Sequence, residues 1–247
     1  MPNDKIYYND LIAKNNDDNL TSIATTTEAT GYDIEYVQDY SPSTKYRSTG
    51  ITSQSILVIF STPQTIKAVA WAGANVENGD TTFKIEAGSN SATTDENLNL
   101  TKASKGVAEL DGSTGWNYKF FKITVTKASS SYVEFGKISL LADFYEFSRC
   151  YNWNYSTGYF TEFSNNVGAY GQIFKKKKYS KKIFNFQFEW IEQSQAEKFD
   201  EDIRDYAYIW LYSEDYSEVF FGVADFGTLM AVRNGYYSIT LDFQEAK

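Results

Sequence analysis

Ser43–Phe60 reads STKYRSTGITSQSILVIF, and Thr65–Gly73 just after it reads TIKAVAWAG. A polar segment ends on Tyr46-Arg47, small residues and Gly50 mark a turn, and a short apolar run follows at 55–60. Runs of this length, rich in Ile and Val and bounded by Ser, Thr and Gly, are read as strands. The pattern then repeats. TTFKIEAG (81–88) alternates at Phe83, Ile85 and Ala87; KFFKITVTKA (119–128) alternates at Phe121, Ile123 and Val125; VEFGKISLLADFYEF (133–147) follows. Short strands with turns between them predict an all-β sandwich or barrel. In residues 1–45, which are polar, TSIATTTEATGYDIEY (21–36) is the only strand-like part. The segment 90–106 is poor in apolar residues and is expected to be an exposed excursion.

The character of the chain shifts near Phe147. Residues 148–182 are polar, aromatic and punctuated by glycine, so a domain boundary is placed there, giving domains 1–147 and 148–247. IFNFQFEW (183–190) predicts a strand with Phe184, Phe186 and Phe188 on one face. SQAEKFDEDIRDYA then predicts a helix over about 195–206, since Ala196, Phe199, Ile203 and Tyr206 share one face. Ser194 and Glu197 have capping-box spacing at its start. Strands return at 206–212, 218–226, 229–234 and 236–245, so the second domain reads as a small sheet with one helix.

Composition narrows the function. The chain has 247 residues with 18 Phe, 20 Tyr and 5 Trp, which favours strands and adhesive surfaces. Its net charge of −9 argues against nucleic acid as a partner. Without any histidine it lacks the commonest general base and zinc ligand. Cys150 is alone, so no internal disulfide forms. The first residues do not read as a signal peptide, and no window approaches the roughly 18 apolar residues of a membrane span. The expectation is a soluble chain made in the cytoplasm, with no membrane insertion. No nucleophile elbow, P-loop or dinucleotide glycine pattern is present.

STKYRSTG…SILVIFSTPQTIKAVAWAGANV and the later YVEFGKISLL together resemble galactose-binding-like (discoidin, F5/8 type C) jelly-rolls. In those domains an aromatic-Arg-Ser turn precedes the strand, and a run with Gly between apolar residues completes the sandwich. The resemblance covers roughly residues 20–147. Such a domain followed by a sheet with one helix and a closing YYSITLDFQE resembles minor tail, tail-tip and baseplate-type proteins of tailed bacteriophages, whose last strand carries the pattern seen here in Leu241, Phe243 and Glu245. This resemblance implies a virion structural role in the tail, assembly with other tail proteins into a ring of copies, and a contribution to host-surface attachment. The alternative it implies is a non-catalytic module binding cell-surface glycans. Galactose-binding-like domains often carry a structural calcium ion, but no residues here single out its ligands, and no cofactor is expected.

Each conspicuous feature has two readings. Tyr46-Arg47 is either a pair that stacks on and hydrogen-bonds a sugar or carboxylate, or framework in which Arg47 holds a turn and Tyr46 packs beneath the sheet; the framework reading takes precedence. In KKKKYSKK (175–182), Lys175, Lys176, Lys177 and Lys178 either solvate an edge and block unwanted pairing, or dock on an acidic neighbouring subunit. The aromatic run YNWNYSTGYF (151–160), with Tyr151, Trp153 and Tyr155 at its head, forms either a subunit contact, which is preferred, or a sugar-stacking platform. Trp116 is expected to plug the core. Asp200, Glu201, Asp202 and Asp205 fall on the solvated side of the helix.

Overall fold

The computed structural model describes residues 4–14, 16, 18–50, 53–75, 81–101, 106–112, 114–127, 132–147, 156–167, 173–213 and 218–246. The chain divides into two compact units. One comprises Ile6–Phe144 with Asp215–Val219, and the other Met1–Lys5, Tyr145–Glu214 and Phe220–Lys247. The protein is mainly β, with curled antiparallel sheets and one short helix, as the alternation predicts. Among the described residues no helix is long and apolar enough to cross a membrane.

The first unit contains most of β1 (Lys5–Asp10), β2 (Leu20–Thr25), β3 (Tyr46–Arg47), β4 (Ser53–Ile66), β5 (Ala68–Ala72), β6 (Thr81–Gly88), β7 (Glu96–Thr101), β8 (Gly106–Glu109), β9 (Trp116–Lys127), β10 (Glu134–Phe135) and most of β11 (Lys137–Glu146). It is a jelly-roll sandwich. One sheet runs β2-β4-β9-β6-β7 and the facing strands run β1-β11-β5-β8. The period-2 pattern supplies its inner face. Ile56, Val58 and Phe60, Phe121, Ile123 and Val125, and Phe83, Ile85 and Ala87 are all buried. Register aligns these sets, placing Ile123 opposite both Ile56 and Ile85. Each such side chain contributes about 1.5–3 kcal/mol by leaving water, which is why a one-residue slip of any strand is excluded. From the other side Val69, Trp71, Ile138 and Leu140 close the core, and the Trp71 ring lies 4.6 Å from that of Phe83. Trp116 is buried at the start of β9, as expected.

Two expectations are corrected here. β1 lies in the stretch read as polar, with Ile6, Tyr7 and Tyr8 all buried. Three adjacent buried residues show no alternation, and the flanking Lys, Asp and Asn dilute their signal. The excursion at 90–106 also contains a strand, because β7 pairs along β6 from Ala87↔Glu96 to Thr82↔Thr101. As an edge strand it needs apolar residues on one face only, and Leu98 and Leu100 supply them.

The second unit contains β12 (Ser156–Val167), β13 (Ile173–Glu192), α1 (Gln193–Lys198), β14 (Tyr208–Ser213), most of β15 (Glu218–Phe226), β16 (Met230–Arg233) and β17 (Tyr236–Glu245). Strand order is β12-β13-β17-β15-β14, with β16 paired to β17. Phe184, Phe186 and Phe188 are buried as predicted, opposite Phe243, Leu241 and Ile239. α1 runs into a π-helical turn at Phe199–Ile203 and buries Ala196, Phe199 and Ile203. Phe199 meets Tyr145 and Phe226 edge-on at 5.6 and 4.8 Å. The capping box does not form. β13 holds the backbone extended through Glu192, which becomes the N-cap without a side-chain bond, so Ser194 already lies inside the first turn. Glu197 instead accepts a hydrogen bond from Gln193 Nε2 at 2.8 Å.

Two features of β13 matter for function. It pairs with β17 only from Ile183 onward, while its earlier part pairs with β12 up to Val167↔Ile173. Residues 159–167 and 173–182 thus form a two-stranded ribbon about 30 Å long at ~3.3 Å per residue. At its other end the register shifts between Phe188 and Ile191. Strict alternation from Phe184 would send Trp190 into the core; the bulge buries Ile191 instead and turns Trp190 outward at φ +61°.

Candidate functional site

Three loops meet around Arg47 in the sandwich. β3 and β10 form a two-residue ladder, Arg47↔Glu134 and Tyr46↔Phe135. Tyr46 and Phe135 face the core, and the Tyr46 hydroxyl donates to the Thr27 carbonyl at 2.8 Å. The other side chains of the ladder form an ion cluster. Arg47 reaches one Glu134 oxygen through Nε at 3.1 Å and a terminal nitrogen at 2.7 Å, and Lys45 Nζ reaches the other oxygen at 2.5 Å. The guanidinium carbon lies 4.2 Å from the ring centres of both Tyr32 and Tyr132. Asn75 joins the loops: it accepts from the Glu134 amide and donates to the Tyr132 carbonyl, each at 2.8 Å, and its own carbonyl accepts from Lys127 Nζ at 2.8 Å.

The Glu134 side chain is 8% exposed, so burial alone would push its carboxyl up; the hydrogen bonds from Lys45 and Arg47 outweigh that and hold it below the usual range. The hydrogen bond to Glu134 in turn holds the Arg47 guanidinium above its ordinary value. One edge of Arg47 is thus committed within the protein by Glu134, as the framework reading requires. What faces solvent is Tyr132, 38% exposed.

The ribbon of the second unit is different in kind. Tyr159, Phe160 and Phe163 are exposed, Tyr159 to 67%. Register puts Tyr159 and Phe163 opposite Lys182 and Lys177, and Phe160 opposite Lys181. Lys177 and Lys178 are exposed; Lys178 pairs with Glu162 across the ribbon at 2.6 Å. Hydrogen bonds from Lys178 and Tyr179 hold the Glu162 carboxyl below its usual range, and the same contact raises Lys178. Lys175 and Lys176 stand opposite Asn165 and Ser164. Tyr151, Trp153 and Tyr155 lie outside the described residues.

Further exposed apolar groups lie at the bulge, on β15 and on β16. Trp190 meets Tyr236 edge-on at 5.9 Å, and Val223, Met230 and Val232 are also exposed. The sequence reading included Tyr159 and Phe160 in the aromatic run 151–160, and both are exposed, but it missed Phe163 and Trp190. For Trp190 the signal was present: an apolar residue followed at once by Ile191 breaks the alternation. Asp200, Glu201, Asp202 and Asp205 are exposed on the helical segment, as expected. Among the described residues no group of three or more acidic or Cys side chains is placed to hold a metal ion.

No family model matches the chain, and no curated protein does. Solved structures with a similar course include the lectin domain of lectinolysin complexed with Lewis b antigen, at 9% identity and TM-score 0.44 over 56% of this chain and 99% of that one. The family 32 carbohydrate-binding module of C. perfringens NanJ, in complex with galactose, aligns at 14% identity and TM-score 0.39 over 49% and 92%. A fucose-binding module of Streptococcus pneumoniae aligns at 7% identity and TM-score 0.40 over 54% and 97%.

Proposed function

We propose that the protein is a non-catalytic structural component of a tailed-bacteriophage virion, held in the tail, tail tip or baseplate by protein–protein contacts of its second unit. The virion role rests on the resemblance of the domain order and the closing YYSITLDFQE to tail proteins, and what supports contacts through the second unit is the placement of exposed apolar side chains. Of eight large ones among the described residues, seven lie in the second unit: Tyr159, Phe160, Phe163, Trp190, Val223, Met230 and Val232. Exposed aromatic side chains are the usual anchors of protein contacts. The two-stranded ribbon adds strand edges able to pair with a neighbour.

Carbohydrate recognition by the sandwich is the second reading. It is favoured by Tyr132, the one exposed large apolar residue described in that unit, set beside the partly exposed Arg47. A ring and a planar donor side by side suit a sugar. Immunogold electron microscopy on particles from the source culture tests the first reading, with gold expected at one end of tailed particles. Absence from particles would overturn it. Binding of the free protein to a glycan array, lost in Tyr132→Ala, would then establish the second.

A further inference from the structure

Charge in the second unit is segregated. Residues 156–182 hold six lysines and one glutamate, a net +5 in a chain of net −9, which leaves −14 for everything else. Over Glu192–Asp205 the helical segment exposes Glu192, Glu197, Asp200, Glu201, Asp202 and Asp205 against Lys198 and Arg204, a net −4. We propose that the ribbon of one copy docks on the helical segment of a second copy, head to tail. This names the partner within the assembly reading and rests on it. The lysines meet the carboxylates, while Tyr159 and Phe163 supply apolar contact beside Lys182 and Lys177. Because the two surfaces differ, the contact is heterologous, and repetition closes a ring or extends a filament.

Size sets the strength. A ribbon about 30 Å long and ~10 Å wide offers about 300 Å² per face, well under the ~800 Å² per partner of a standard stable pair. A single contact is therefore weak and governed by charge. Raising salt from about 0.1 M to about 1 M cuts the screening length from ~10 to ~3 Å and dissolves it.

Sedimentation velocity on the full chain tests this with two surface variants. Lys177→Glu with Lys178→Glu weakens the ribbon; Glu201→Lys with Asp205→Lys weakens the helical segment. Thermal melts equal to wild type establish that both variants fold. Wild type is expected to associate at low salt and dissociate at high salt, and each variant to stay monomeric at the concentration where wild type associates. An equimolar mixture of the two is expected to form one-to-one pairs and nothing larger, because one variant keeps the ribbon and the other keeps the helical surface. A monomeric wild type at low salt, variants that associate like wild type, or a mixture that stays monomeric would each overturn the proposal. A monomeric protein that still labels particles removes this contact alone; a head-to-tail oligomer absent from particles removes the virion reading alone.

Discussion

Replacing Arg47 by Ala removes a charged hydrogen-bonded pair and two ring contacts at once, and the loss can be sized. Hydrogen bonds to a charged group contribute about 1.5–3 kcal/mol, and the low end applies because the Arg47 side chain is 29% exposed and partly screened. Stacking on Tyr32 and Tyr132 adds ~0.5 kcal/mol for each ring at this exposure. Lys45 still neutralises Glu134, so the larger penalty of an abandoned buried charge does not arise. The total is about 2–3 kcal/mol, or roughly 8–12 °C off the melting transition of the sandwich at ~4 °C per kcal/mol.

Calorimetry from neutral pH down to about pH 3 adds a second readout. The carboxyl of Glu134 is held below its usual value when folded, so the unfolded chain binds the proton more readily. The stability this contributes is present above the ordinary carboxylate range and is lost as pH falls through the lowered folded value. The gap between wild type and Arg47→Ala is therefore expected to narrow in acid. Arg47→Lys keeps the charge but loses the fork and the stacking, and is expected to fall between the two. A neutral-pH melt of Arg47→Ala within about 2 °C of wild type, or a gap unchanged in acid, would refute the framework role.

Other substitutions test separate parts of the fold. Phe186→Ala is expected to cost about 3–5 kcal/mol, whereas Trp190→Gly stays within ~1 kcal/mol, because relief at φ +61° offsets the lost Tyr236 contact; urea midpoints decide between them. Lys137→Met is expected to cost about 3 kcal/mol by chemical denaturation, since the fully buried Lys137 pairs with Asp10 at 2.9 Å; changing Asp10→Asn as well should recover part of it. Gly136→Ala would push a Cβ into the backbone carbonyl of Pro42, which cannot yield like a side chain, so a large fall in melting temperature is expected.

The sandwich was legible because its signal is local. Phe121, Ile123 and Val125 alternate in the sequence and are buried in the fold, and the same holds for Phe184, Phe186 and Phe188. What escaped depends on partners far away in the chain. Nothing near Arg47 announces Glu134, 87 positions on, or the tyrosines that flank the guanidinium. The capping box failed for a related reason: the pairing of Glu192 with Tyr236 fixes where the helix begins, and that constraint is not local to Ser194. Likewise, the lysine run is conspicuous in the sequence, but its position on a ribbon beyond the paired sheet follows only from where β17 stops.

That position also bears on the two readings of the lysines. An exposed ribbon with Tyr159, Phe160 and Phe163 invites another ribbon to pair along its edge. Two copies approaching that way each bring a net +5 to the same contact, and at about 4.8 Å between strands the repulsion opposes pairing. The acidic helical segment meets the same charge with the opposite sign. Blocking a wrong partner and selecting a right one are therefore a single electrostatic property of the ribbon. It follows that Lys177→Glu with Lys178→Glu should do more than abolish docking: with the repulsion reduced, ribbons should begin to pair with one another at high concentration. Intermolecular β-sheet would then appear in the infrared amide I band of that variant and stay absent from the helical-segment variant, which keeps its lysines. If both variants aggregated alike, the lysines would have no protective role, and the two readings would separate again.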